Sequence, residues 1–248
     1  VISADTRAFQ INFEELEETI NEHTKAILIN SPNNPSGVVY SRETIEKLAA
    51  LLEKKQKEYG HSIYIISDEP YREIAYDGFE VPYVPHFYNN TLVAYSFSKS
   101  LSLPGERIGY LVIPDEVADS EKLNAAANVA TRILGFVNAP TLQQKVVKAC
   151  LNEKTDISYY DRNREALYNG LKELGFECIR PEGAFYLFPC IKEFGMSSDE
   201  FANRFLHEEE VAVIPGTAFG DCGEGFLRIS YAYSIEELKE ALGRLANF

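Results

Sequence analysis

Four short runs of this chain are apolar without alternation: Ala26-Ile27-Leu28-Ile29-Asn30, Ser62-Ile63-Tyr64-Ile65-Ile66, Leu92-Val93-Ala94-Tyr95 and Ile108-Gly109-Tyr110-Leu111-Val112-Ile113. A strand with one wet face alternates apolar and polar residues, whereas a strand covered on both faces need not. Phe13, Leu16 and Ile20 precede the first run at helical spacing. Leu48, Leu51 and Leu52, introduced by Ser41 and Thr44, precede the second. Helical stretches alternating with such runs predict an α/β fold, a mostly parallel sheet with helices on both faces.

After Pro114 the spacing turns helical from Glu121 to Val137, from Gln143 to Leu151, and from Ile157 to Leu174, where Gly175 supplies a helix C-terminal stop. Short strands are expected around Phe176–Ile179, Ala184–Phe188, Val211–Ile214 and Phe226–Tyr231. A helix is expected near Ser198–Glu209, with a closing one from Ile235. Residues 1–154 therefore read as part of a large domain and residues 155–248 as a smaller α+β domain. A length of 248 residues permits that division.

Composition excludes several kinds of partner. With 24 basic against 38 acidic side chains the formal net charge is -14, which repels nucleic acid phosphates and anionic membrane surfaces. No apolar run reaches the ~18 residues of a membrane span, and VISADTRAF has no basic and apolar leader pattern, so a cytoplasmic setting is expected. Cys150, Cys178, Cys190 and Cys222 are far apart, without CxxC spacing, and read as free thiols. His23, His61, His86 and His207 show no metal-ligand spacing, so no metal site is expected.

In open α/β sheets ligands sit beyond the carboxyl ends of the strands. Three such ends here carry polar side chains. Ser31-Pro32-Asn33-Asn34-Pro35-Ser36-Gly37 follows the first run and, taken alone, is a turn. Ser67-Asp68-Glu69-Pro70-Tyr71 puts a carboxylate at the end of an apolar strand. Such an aspartate can cap a helix or act as the counter-ion of a heterocyclic nitrogen. Ser96-Phe97-Ser98-Lys99-Ser100-Leu101, followed by Pro104-Gly105-Glu106-Arg107-Ile108-Gly109-Tyr110, sets a lysine between two buried strands. Lysine is seldom buried without a partner.

In this order the three segments resemble the NPxNPTG loop, the D-x-x-Y strand end and the SxSKxxxxPGxRxGY segment of class I/II aminotransferases. PEGAFYLFP (181–189) and PGTAFG with FLRISYA (215–232) are similar to the same family. The resemblance runs nearly the whole length and implies the aspartate aminotransferase fold, with pyridoxal 5'-phosphate as cofactor. It implies that Lys99 forms the Schiff base and shuttles the proton. It also implies that Asp68 keeps the pyridine nitrogen protonated, a charge pair worth about 4 kcal/mol at ~4 Å and an effective dielectric of ~20. By the same resemblance Asn34 and Tyr71 serve the phenolic oxygen, Ser96 and Arg107 the phosphate, and Arg228, with Asn34, the substrate carboxylate.

The activity so implied is amino-group transfer between an amino acid and a 2-oxo acid, in an enzyme that is a homodimer at full length. Two other readings stay open: a β-lyase with the same cofactor, and a non-catalytic aminotransferase-like regulatory domain. The chain departs from the family in carrying neither the glycine-rich phosphate turn nor the ring-stacking aromatic that precede the NPxNPTG loop. It is therefore expected to be a C-terminal fragment that binds the cofactor poorly on its own.

Overall fold

The computed structural model describes residues 2–5 and 7–248. The Asn12 side chain accepts the Glu15 amide and starts α1 (Phe13–Thr19), which leads into β1 (Ala26–Asn30). Ser41 does the same for Thr44 at the head of α2 (Arg42–Tyr59). That helix ends at Gly60, whose φ of 70° lies in the left-handed region that glycine enters without steric cost. β2 (Tyr64–Asp68), β3 (Thr91–Ser96) and β4 (Gly109–Val112) complete a sheet of order β1-β2-β3-β4. The first three strands are parallel and β4 is antiparallel to β3.

One face of this sheet packs against α1 and α2. Ile29, Leu48, Leu52, Ile63 and Ile65 are buried there with Val84 and Tyr88, each aliphatic side chain contributing roughly 1.5–3 kcal/mol of transfer free energy. Leu28 points from the other face and is 70% exposed.

The chain continues through α3 (Phe97–Ser100, between β3 and β4), α4 (Ser120–Ile133), α5 (Thr141–Cys150) and α6 (Ile157–Glu173). Next come β5 (Tyr186–Leu187), α7 (Ser198–Glu209), β6 (Ile214–Pro215), β7 (Leu227–Ser230) and α8 (Ile235–Leu245). The three short strands form an antiparallel sheet of order β5-β7-β6. Its core joins Leu167, Leu171, Phe185, Leu187 and Phe201 to Tyr71, Ile74 and Tyr76, which follow β2.

The α/β class and the parallel order agree with the sequence pattern. Three elements differ, one of them the strand expected around Val211–Ile214, which forms only as Ile214–Pro215. The strand expected at 176–179 is reduced to a single bridge between Glu177 and Cys190. The helix expected to reach Val137 stops at Ile133, because Gly135 and Val137 both take positive φ, 83° and 58°. Among the described residues no helix is long and apolar enough to cross a membrane.

Two closely packed glycines lie at the seam between the two sheets. The Gly37 carbonyl accepts the amides of Glu182 and Gly183 at 2.9 and 2.8 Å. A Cβ on Gly37 would come within 2.6 Å of Pro181 Cβ, and one on Gly183 within 2.6 Å of Pro32 Cβ. Gly37 also has φ 73°, so a side chain there meets both strain and collision.

Candidate active site

Asn30 and Asp68 end adjacent parallel strands in direct register. The Asn30 amide nitrogen donates to the Asp68 carbonyl at 3.0 Å and to its carboxylate Oδ2 at 3.1 Å. Asn30 Oδ1 accepts the Asn34 backbone N–H at 2.8 Å. Burial raises the Asp68 carboxyl above the ordinary carboxylate value. The hydrogen bond from Asn30 opposes that rise, and the nearby charge of Glu69 adds to it.

The turn after β1 then presents the Asn34 side chain to the second sheet. Arg228, on β7, donates from Nη1 to Asn34 Oδ1 at 2.9 Å. Its guanidinium lies between two rings, 4.6 Å from the centre of Tyr186 and 5.0 Å from that of Phe219. Such stacking fixes the plane of the fork and leaves its remaining N–H groups aimed in a defined direction.

Lys99 lies on the single turn α3, directly beyond β3. Ser96 caps that turn: its hydroxyl accepts the Ser98 amide at 3.1 Å and donates to the Ser98 hydroxyl at 2.7 Å. Lys99 Nζ is 5.2 Å from the centre of the Phe185 ring and 5.8 Å from that of Tyr71. Burial first, then the charges of Arg228 and Arg107, lower the Lys99 pKa below the ordinary lysine value. Among the described residues no carboxylate oxygen lies within 4.0 Å of Lys99, Arg107 or Arg228. Two guanidinium charges acting on Lys99 without a close carboxylate, in a protein of net charge -14, make a site suited to anions.

Tyr71 is 4% exposed, and its hydroxyl pairs with that of Tyr186 at 3.0 Å. Burial, then this hydrogen bond, pushes its phenol well above the usual value, so it is a neutral hydroxyl. Arg107 takes the left-handed conformation, is exposed, and donates from Nη1 to the Pro104 carbonyl at 2.9 Å.

Asn34, Asp68, Tyr71, Lys99 and Arg228 thus converge on one crevice beyond the strand ends. Ser96 and Arg107 border it, but each bonds only within its own segment. Residue-by-residue reading passed over Asn30, Phe185 and Tyr186. A polar residue closing an apolar run was the available signal for Asn30; the two aromatics gave none beyond their place in the PEGAFYLFP segment.

Residues 2–245 match the profile of the family described as aminotransferase class I and II. A crystal structure of an aminotransferase from Eubacterium rectale superposes with a TM-score of 0.93 at 51% identity, over 99% of this chain and 61% of that one. The aspartate aminotransferase of Thermotoga maritima is 38% identical over 98% of this chain and 61% of its own length. Aromatic-amino-acid aminotransferase 2 of Thermococcus litoralis is 34% identical over 96% of this chain and 60% of its own. The chain thus spans about three fifths of the length of these relatives.

Proposed function

The chain belongs to the class I and II aminotransferases, and from that membership we propose that its crevice serves amino-group transfer between an amino acid and a 2-oxo acid, with pyridoxal 5'-phosphate as cofactor and Lys99 as the amine that bonds it. The observation that carries this reading is the state of Lys99: partly buried against two rings, lowered in pKa, beside two guanidinium groups and no close carboxylate. A primary amine, a strand-end carboxylate and spare cations form a donor set that fits an anionic pyridine aldehyde.

When bound, that cofactor supplies an aldehyde and an electron-withdrawing ring. In this reading Asp68 would face the ring nitrogen and hold a proton on it. Asn34 and Tyr71 would donate to the phenolic oxygen, and Ser96 and Arg107 would hold the phosphate. Arg228, stacked and already oriented by Asn34, would grip the substrate carboxylate with two N–H groups. Lys99, when neutral, would take the proton from the substrate α-carbon and return it. Phe185 and Tyr71 would keep water from that amine.

The division into a large unit, residues 1–154, and a small one, residues 155–248, belongs to the same proposal. Its support is that every strand of the second sheet lies after residue 155. A cytoplasmic homodimer is likewise part of it. The exposed apolar side chains of Ile133, Leu134, Phe136 and Leu142 support a second copy.

Incubation of the full-length protein with pyridoxal 5'-phosphate, borohydride reduction and peptide mapping test the assignment. Label on Lys99 is the expected result, and label on another lysine overturns it. Formation of a new amino acid from a 2-oxo acid, rather than release of pyruvate and ammonia, separates transfer from β-elimination.

A further inference from the structure

Asn30 occupies a position that none of the roles above uses. Its side-chain amide is fully engaged: both N–H bonds point at Asp68, one to the carbonyl and one to the carboxylate, and the oxygen takes the Asn34 amide. Rotating the amide by half a turn would set its oxygen against two acceptors and its N–H groups against a donor. The orientation is therefore fixed by partners on both sides. We infer that Asn30 is a positioning residue that couples the Asp68 carboxylate to Asn34, and through Asn34 to Arg228. The inference rests on the functional reading of those three residues and deepens it.

The coupling follows from the order of contacts. Asp68 Oδ2 is held by Asn30 Nδ2 at 3.1 Å, Asn30 Oδ1 holds the Asn34 N–H at 2.8 Å, and Asn34 Oδ1 holds Arg228 at 2.9 Å. The carboxylate meant for one end of the ligand and the guanidinium meant for the other share one chain of bonds. Aspartate keeps the acceptor for Asn34 but turns a carboxylate toward Asp68; leucine keeps the shape and loses both arms.

Asp68 also needs the donor for its charge. Burial and Glu69 favour its protonated form, and its charge in turn reaches Tyr71. The N–H from Asn30 is the opposing contact. A protonated Asp68 cannot stabilise a proton on a ring nitrogen.

The two arms separate experimentally with Asn30→Asp and Asn30→Leu. In cofactor-free protein the Asp68 carboxyl is followed by carbon NMR against pH, with Asp68→Asn to assign the signal, and thermal unfolding is recorded alongside. In loaded enzyme, kcat and KM for the amino acid are measured. A charge-assisted hydrogen bond is worth about a tenfold effect or more. Asn30→Asp is expected to raise the Asp68 titration midpoint by about one pH unit or more and to lower kcat about tenfold, with KM within about threefold of the parent. Asn30→Leu is expected to lower kcat similarly and also to raise KM, because the Asn34 arm is lost. An unchanged Asp68 midpoint in Asn30→Asp overturns the inference, as do equal changes of KM in the two variants. If the parent takes no label on Lys99 yet Asn30→Asp still moves the Asp68 midpoint, the functional reading fails and the coupling stands.

Discussion

Arg228 and Asn34, 194 positions apart in sequence, meet through one hydrogen bond of 2.9 Å that joins the short antiparallel sheet to the turn after the first parallel strand. The bond uses one arm of the guanidinium and, among the described residues, no hydrogen bond engages the other. Arg228→Lys removes both the planar fork and its stack between Tyr186 and Phe219. KM for the amino acid should rise about 10- to 100-fold, the range of one charge-assisted bond, with a smaller fall in kcat. Steady-state kinetics decide it: an unchanged KM would place the carboxylate elsewhere.

Lys99 gives a prediction with a sign. Its pKa is below the ordinary 10.5 in the folded protein, so the unfolded chain binds more protons between the two values. The charged amine therefore costs folded stability at neutral pH, and that cost disappears as pH rises toward 10.5. Cofactor-free Lys99→Met should be more stable than the parent at pH 7, with the difference shrinking at alkaline pH. Denaturant midpoints across pH test this, and a difference that grows with pH contradicts it. The side chain is partly exposed, so solvent screening keeps the effect small.

The hydroxyl pair of Tyr71 and Tyr186 is buried, so removing one partner strands the other. Tyr71→Phe and Tyr186→Phe should each destabilise the cofactor-free protein by about 1–2 kcal/mol. The double variant should lose less than the sum, because neither hydroxyl then remains unpaired. Urea titration of the four proteins closes the cycle, and strict additivity would mean that the hydroxyls do not interact.

Arg164 on α6 is fully buried. Its Nη1 donates to Asp77 at 3.0 Å and to the Pro181 carbonyl at 2.7 Å, and its guanidinium lies 4.3 Å from the centre of the Tyr76 ring. Arg164→Leu leaves the Pro181 carbonyl and the partly exposed Asp77 carboxylate without their cation, and should cost about 1–3 kcal/mol. Denaturant unfolding measures it; a loss below ~1 kcal/mol would show that Arg180, 2.9 Å from the same Asp77 oxygen, takes over.

The sequence marked this crevice because polar residues closing apolar runs are costly unless something uses them. Asp68 and Lys99 stand out on that ground alone. The α/β class was equally legible, since four non-alternating runs admit few other folds. What could not be read was pairing across distance. Nothing local tells that Tyr71 finds Tyr186, or that Asn34 finds Arg228. Asn30 was hidden for the opposite reason: an asparagine before a proline-rich turn already has a local explanation. The strand expected at 176–179 failed because its apolar side chains pack into the core from a loop, paired at only one residue.

The glycine seam between Gly37 and Gly183 has a consequence for what the crevice can hold. The Gly37 carbonyl bonds directly to the Glu182 and Gly183 amides there, and the rings of Pro181 and Pro32 leave no room for a Cβ on either glycine. A methyl group added at either glycine has to push the turn after β1 and the segment before β5 apart, and a ligand gripped from both sides would then lose its hold on one of them.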